Sequence, residues 1–529
     1  MPMRRPLSRS LPLAIAAVLL LAPSALAARG FSLGVTAGEV TSSSAQLWGK
    51  AKKSGAYGLL TARNRRLTRG LDSHIVRARK SHDNTVQLRV KGLRSNTRYW
   101  FRFARGRARS DVGTFVTAPK PNQDVTVKFA WSGDQDFNSE PGKTTPYWND
   151  GGVLRHMKAE RNNFNVMLGD TIYSDSEVPG RLNPIALSVK QKWAKYRINL
   201  ANRSLQALRR SAGFYSHWDD HEFVNDFSPA ENSFDNNVNV NGRTLYSRGA
   251  RAFRDYAPVS WSSQNGLYRT VRWGRNLQVF FLDERSFRSA NADANHVCDN
   301  PQTGSPDLAP TAPQTTRSLF ALVTPSLAQP VSQACLDAIR SPNRTFLGQR
   351  QLTRFLRDIK RSKARFKVIM NEMPIQQYYI LPYDRWEGFE AERQHILSEL
   401  QGVKNLIFLT TDVHATLLND ARFKTLESGG PQNSGILDMT VGPVATANFG
   451  LEIDNVTGQP GSYQAVDSAF LTPPPPGGVG MQCSVLNQFS YGQVTVTGSK
   501  LTITPKDIDG NPQQDNGGPC GPVVLNHQP

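Results

Sequence analysis

The sequence predicts a small all-β sandwich followed by a much larger α/β domain, and three observations carry that expectation. From Phe31 to about Pro119, short segments with period-two alternation are separated by turn residues, as in antiparallel sheets with one buried face. Beyond the linker TAPKPNQD, apolar runs ending in polar or acidic residues alternate with helical patterns, which argues for a sheet covered by helices. The length of 529 residues exceeds what one hydrophobic core usually serves.

Taken in order, the first segment is MPMRRPLSRSLPLAIAAVLLLAPSALAARG. Arg4, Arg5 and Arg9 precede an apolar run from Leu11 to Leu21 and the small-residue site Ala25-Leu26-Ala27, so residues 1–27 read as a signal peptide. The run is too short to span a bilayer comfortably, and no later segment does so. Arg4-Arg5 fits the twin-arginine route, and the ordinary Sec route fits equally. The expected location is therefore secreted or periplasmic.

Residues 30–119 supply the strand candidates SAQLWGKA, AYGLLTA, NTVQLRVKGL and TRYWFRFARG. Leu93 and Tyr99 in LRSNTRYWFRF resemble the tyrosine corner of immunoglobulin-like and fibronectin type III sandwiches. Residues 124–510 are expected to form the α/β domain, with VLRHMKAERN, GQRQLTRFLRDIKRS and AERQHILSELQ as helices. The Pro-, Thr-, Ala- and Gln-rich stretch from Ser289 to Arg344 reads as an insertion, a lid or a rim. YGQVTVTGSKLTITPKD is a β-hairpin with Gly498 in its turn, and residues 511–529 read as a tail.

Cys298, Cys335, Cys483 and Cys520 make an even set, which fits two disulfides in an exported chain. Chain order suggests Cys298 with Cys335 and Cys483 with Cys520; two other connectivities remain open. The 63 Lys and Arg against 43 Asp and Glu give a formal charge of +20, suited to anionic polymers or simply to solubility and envelope retention. The basic residues lack the interleaved aromatics of a single-strand groove, so no stable nucleic-acid complex is expected. No Walker loop, Gly-x-Ser-x-Gly elbow or zinc-type cysteine pairing is present.

Chemistry concentrates at five strand ends. They are Asp134 in WSGDQD, Asp170 and Tyr173 in LGDTIYSD, Asp220 and His221 in WDDHE, Asn371 in MNEMP, and Asp412 with His414 in TTDVH. Ligands gather at the carboxyl ends of strands in such sheets. Burying converging carboxylates without compensation costs several kcal/mol each, whereas cations reverse that cost. Oxygen-rich ligands with one or two histidines suit hard or borderline metals, and a pair of such ions can clamp a phosphoryl displacement.

The motifs GDTIY, WDDHE, LDERSFR, WEGFEAER and DVH, in this order, resemble the calcineurin-like metallophosphoesterases and more closely the PhoD-type alkaline phosphatases and phosphodiesterases. The resemblance runs from about Phe31 and implies a metallophosphoesterase β-sandwich core with flanking helices. It implies one metal, iron(III), on Asp134, Asp170, Tyr173 and His414. It implies a second, calcium or another divalent ion, on bridging Asp170 with Asp220, Asn371 and Asp412. His221 takes the place of the leaving-group acid, and a metal-activated hydroxide is the nucleophile.

Asp134 stands where many members carry Cys, which moves the site towards harder ions. Asp136 falls where wider relatives place a His, as a ligand or as a residue that orients one. Thr411 replaces a usual Gly, and Asn371 lacks the His common after its strand. Arg285 is expected to bind phosphate oxygens, with Arg288 beside it, or else to salt-bridge Asp283 or another carboxylate. Trp386 lines the mouth or the core; Glu222, Asn225 and Asp226 orient the ligands or cap a loop.

The expected function is a secreted, monomeric, metal-dependent phosphoric ester hydrolase. Its substrate class is a small phosphate ester, teichoic acid, nucleotide or phospholipid headgroup. The alternatives are a dedicated phosphodiesterase or phospholipase D-like enzyme, and a non-catalytic envelope protein binding anionic polymers.

Overall fold

Two large sheets lie face to face at the centre of the computed structural model, which describes residues 30–181, 184–233, 239–515 and 518–529. The export segment expected over residues 1–27 lies outside the described residues. The first sheet has nine strands in the order Val523–Asn526, Lys500–Asp507, Ser490–Val496, Val127–Ser132, Phe164–Leu168, Gly213–His217, Phe31–Gly38, Ser44–Ala51 and Thr85–Lys91. The second has seven, in the order Arg269–Trp273, Leu277–Phe281, Phe366–Met370, Leu406–Thr410, Gln432–Thr440, Thr416–Lys424 and Cys483–Val485.

The middle strands of each sheet run parallel. Parallel strands covered on both faces should be apolar throughout, and FNVML, FKVIM and LIFLT are. Alternation then decides which layer each residue joins. Val166 and Leu168 face Val368, Met370, Ile407 and Leu409 between the sheets, while Met167 faces outward. On the outer face of the first sheet, Met167 and Phe214 meet Leu154, Met157, Leu205 and Leu208. On that of the second, Phe280, Ile369 and Phe408 meet Leu352, Phe355, Ile359 and Ile396. Each such side chain contributes on the order of 1.5–3 kcal/mol by leaving water.

The three helices expected from periodicity form at Gly152–Ala159, Gln349–Lys360 and Glu390–Leu400. In the second of these, Leu352, Phe355, Leu356 and Ile359 make the buried stripe that its spacing demands. Two further helices, Val189–Ala201 and Gly242–Tyr256, cover the first sheet. Ser188 and Gln191 close a capping box at the start of the former.

Near the amino terminus, strands Gly55–Ala62, Asp72–Ala78, Arg98–Arg105 and Gly113–Val116 pair in a separate sheet. It packs on Phe31–Gly38, Ser44–Ala51 and Thr85–Lys91 through Phe31, Leu47, Leu59, Phe101 and Phe103. The Tyr99 hydroxyl accepts the Arg94 N–H at 2.9 Å, the corner bond that its spacing foreshadows. One sheet of this sandwich does not stop at the linker. Phe31–Gly38 pairs in parallel with Gly213–His217 through Ala37 and Gly213, so the two parts share a continuous sheet.

The predicted hairpin forms as Ser490–Val496 and Lys500–Asp507. The segment read as a tail adds the strand Val523–Asn526 to the sheet edge, where Leu525 packs on the core. The disulfides are Cys298–Cys335 and Cys483–Cys520, the pairing that chain order suggested. The insertion is ordered by helices Gln314–Phe320 and Gln333–Arg340 and by a buried two-point ion pair of Arg317 with Asp307, at 2.7 and 2.9 Å.

Candidate metal centre

The turns after three neighbouring strands of the first sheet and two of the second carry the acidic residues, and several of their side chains converge. Asp134, Asp170, Asp412 and His414 lie in the left-handed region, with φ of 62°, 45°, 67° and 56°. Left-handed non-glycine residues cost on the order of 1 kcal/mol or more each, so packing must impose them. Several contacts do so. Thr411 Oγ donates to Leu168 O at 2.6 Å, tying two of the turns together. Glu222 accepts the N–H groups of Thr171 at 2.7 Å and Asp219 at 2.8 Å, clamping the turn after Gly213–His217 to one of these. Gly169, at φ 86°, leaves no room for a side chain, since a Cβ there would lie 2.9 Å from Asp219 Cβ.

The side chains form two overlapping groups. In the first, ligand atoms of Asp134, Asp170 and His414 all lie within 4.8 Å of one another. Tyr173 Oη is 3.0 Å from His414 Nε2, which places it beside this group. In the second, Asp219, Asp220 and Asp412 meet the same limit, and Asp220 also does so with Asp170 and His221. Asp170 thus belongs to both neighbourhoods. Asn371 follows Phe366–Met370, and its Oδ1 is buried without a partner among the described residues.

Both carboxylate oxygens of Asp134 are likewise buried and unpartnered among the described residues. Burial pushes this carboxyl up to about 7, although His414 opposes the shift. Burial also raises Asp219, to about 6, and both Asp170 and Asp412 well above their ordinary range; Asp220 and Asp219 add to it for Asp170, and the same pair for Asp412. Burial lifts the Tyr173 phenol, and Asp170 and Asp134 lift it further. Orphaned, mutually repelling oxygen groups of this kind fit bound cations, which reverse each of these costs.

His221 is held at its other side. Its Nδ1 lies 2.6 Å from Asp175 Oδ1 and its ring packs on Tyr173 at 4.1 Å between centroids. Its Nε2 is 4.0 Å from Asp170 Oδ2. Burial alone would lower its pKa, but Asp175, Asp170 and Asp220 outweigh burial and raise it well above the ordinary value. His414 is arranged in the same way: Nδ1 meets Glu452 Oε1 at 2.7 Å, leaving Nε2 towards Tyr173. There too burial opposes the shift and Glu452 prevails, at about 9.

Residues 142–497 match the family model described as PhoD-like phosphatase, and residues 17–119 that of the PhoD-like phosphatase N-terminal domain. The chain belongs to the PhoD-like phosphatase family. It is 25% identical over 432 residues to alkaline phosphatase D of Bacillus subtilis, covering 73% of this chain but only 64% of that relative. A solved structure of PhoD superposes with a TM-score of 0.68 at 18% identity, over 96% of this chain and 90% of that one. A purple acid phosphatase from yellow lupin (Lupinus luteus) seeds gives 0.53 at 11%, over 91% and 72%. The last two establish a shared fold.

In this member of the family, Arg285 and Trp386 take the structural side of the alternatives that the sequence leaves open. Arg285 is fully buried and its donors are taken, which leaves none directed at a substrate. Nε donates to Asp219 at 2.6 Å, Nη1 and Nη2 each reach Asp384 at 2.8 Å, and Nη1 also meets Phe227 O at 3.2 Å. A guanidinium that neutralises two buried carboxylates is a pillar of the site. Arg288 sits on the same Asp384 at 2.9 Å and packs over Phe346. Trp386 is core, with no exposure, donating to Glu284 Oε1 at 3.0 Å.

Asp136 lies outside both groups, accepting from Asn138 N at 2.9 Å and from the Ser176 hydroxyl. Asn225 and Asp226 act through their backbone N–H groups, which donate at 2.6 Å to Asp175 and Asp220 respectively. Asp175 and Glu452 join the site without having been legible as site residues, and Asp219 belongs to the acidic cluster that the sequence places towards metal ions. Asp219 was visible in the WDDHE cluster; Asp175 and Glu452 carried no signal beyond their charge.

Proposed function

We propose that this chain is an exported, metal-dependent phosphoric ester hydrolase of the alkaline phosphatase D type. One observation carries the reading: the Asp134 carboxylate is buried with neither oxygen hydrogen-bonded among the described residues, beside Asp170 and His414. Two disulfides support an oxidising destination, and no helix of the described residues is long and apolar enough to cross a membrane.

Asp134, Asp170, Tyr173 and His414 would hold one cation; Asp170, Asp220, Asn371 and Asp412 would hold the other. Such ions supply neutralisation of the phosphoryl oxygens and activation of a water at neutral to alkaline pH. The tyrosine oxygen and the carboxylates favour iron(III) at the first position and calcium or another divalent ion at the second.

The chain's own residues do the rest. Asp175 fixes the His221 ring through Nδ1, so Nε2 faces the carboxylate groups and presents a proton to the departing alkoxide. Asp170 belongs to both neighbourhoods and would contribute to each. Arg285 pairs with Asp219 and Asp384 and holds both in place beneath them.

The test is hydrolysis of paired chromogenic phosphomonoester and phosphodiester substrates, before and after chelation and metal restoration. Chelator-sensitive turnover supports the reading, and the ratio of the two rates separates phosphatase from diesterase. No turnover of either by a folded, fully metallated protein overturns it in favour of a binding protein for anionic polymers.

A further inference from the structure

A cavity of about 470 Å³ that shares no lining residue with the ligands named above lies where Asp72–Ala78, the turn Lys80–His82 and Thr85–Lys91 meet the helix Gly242–Tyr256. Arg77, Arg79, His82, Arg251, Arg254 and Asp255 face it. Four guanidiniums and an imidazole therefore surround a single carboxylate. That carboxylate is already engaged, with His82 Nδ1 at 2.7 Å and Trp193 Nε1 at 3.1 Å.

The arginines differ in how they are held. Arg251 Nη2 donates to Ser81 O at 2.7 Å, and Arg254 donates through Nε to Ala250 O at 3.0 Å while its guanidinium lies 4.0 Å from the Trp261 ring centroid. These two are anchored with donors to spare. Among the described residues, no hydrogen bond or ion pair occupies the side chains of Arg77 and Arg79. Like charges collected around a cavity repel, and an anion within reach of several guanidinium forks offsets that repulsion. The volume falls in the range of sites that enclose a small molecule, larger than one phosphate needs.

We propose that this junction cavity is a second ligand site, which binds a run of phosphate groups in a polyanion. The site draws its residues from both parts of the chain, so occupancy also joins the amino-terminal sandwich to the catalytic part. The proposal is independent of the hydrolase reading, because none of its residues belongs to the carboxylate groups of the metal centre.

The experiment is calorimetric titration of the full metallated chain with tripolyphosphate, with an abasic phosphodiester oligomer, and with sulfate at matched ionic strength. Metal content is checked before and after each run. Tripolyphosphate or the oligomer should bind more tightly than sulfate, and Arg77→Ala/Arg79→Ala should weaken that binding by about tenfold or more. Arg251→Gln is a second, independent variant with the same expected direction.

Both variants should retain wild-type turnover of a chromogenic monoester, which separates loss of this site from loss of folding or of the metal centre. Tighter binding of the oligomer per phosphate assigns the cavity to a polymer segment, and tighter binding of tripolyphosphate assigns it to free oligophosphates. Affinity unchanged in both variants, or no preference over sulfate, overturns the proposal.

Discussion

Glu452, on the helix Phe449–Thr457, reaches across to His414 and sets its carboxylate 2.7 Å from the imidazole Nδ1. A residue outside the five strand ends therefore fixes the ring that faces Asp134, Asp170 and Tyr173. Carboxylate partners of metal-binding histidines typically account for about 10–100-fold in metal affinity. Glu452→Gln is expected to lower the metal content of the first position within that range, read by elemental analysis after dialysis against a graded chelator. Unchanged metal retention would show that the pair only secures the helix.

Asp175→Asn removes the anion that raises the His221 pKa while keeping a hydrogen-bonding side chain. The imidazolium is then less stable, so its proton is lost at lower pH. The alkaline limb of the kcat profile should shift to lower pH, most clearly for substrates with poor leaving groups, with metal content preserved. His221→Ala should reduce turnover of those same substrates severely and remove that limb.

Arg285→Met tests the ion-pairing role of the buried arginine. Breaking a buried ion pair from one side costs about 3–5 kcal/mol, because the partner charge stays behind. Asp219 and Asp384 would both be left uncompensated. Denaturant unfolding should show a loss of that order. A variant of unaltered stability with only a raised KM would restore the substrate-binding role.

Cation removal should destabilise the chain in a pH-dependent way. In the folded, cation-free chain, burial pushes the Asp134 and Asp219 carboxyls up to about 7 and about 6. The unfolded chain has lost those protons by then. The stability they contribute is complete below the ordinary carboxyl range and is lost as pH rises through their folded values. The gap in Tm between metallated and chelated protein should therefore widen from about pH 5 to about pH 8. A constant gap would place these carboxyls elsewhere in the titration.

The two disulfides offer a matched comparison. Each joins cysteines 37 residues apart, so chain entropy alone assigns both about 4 kcal/mol. Equal losses in Cys298→Ser/Cys335→Ser and Cys483→Ser/Cys520→Ser would support that account. A larger loss in the second pair would locate extra native contacts at the Val523–Asn526 edge.

Strand identities and their acidic ends were legible in the sequence because burial on both faces leaves an unbroken apolar run, and a polar break marks where it stops. The pairing of Arg285 was not legible, since its carboxylates lie 66 and 99 residues away and no local pattern distinguishes a saturated arginine from a free one. Glu452 was hidden for the same reason, 38 residues beyond His414. The pairing of the sandwich with the larger part was not legible, because alternation reports a buried face but not which strand lies alongside. The Ala37–Gly213 bridge joins segments whose sequences carry no trace of each other.

That bridge also sets an order of events. The strand Phe31–Gly38 precedes its parallel neighbour Gly213–His217 by some 180 residues, and the far edge of the same sheet is finished by Val523–Asn526. A growing chain must hold its earliest strands half-paired, exposing an open edge, until much later segments arrive to close them. Long-range closure of this kind slows folding and prolongs vulnerability to aggregation. A route that delivers the polypeptide already folded, or a chaperone that shields the waiting edge, would relieve a kinetic burden that this sheet order imposes.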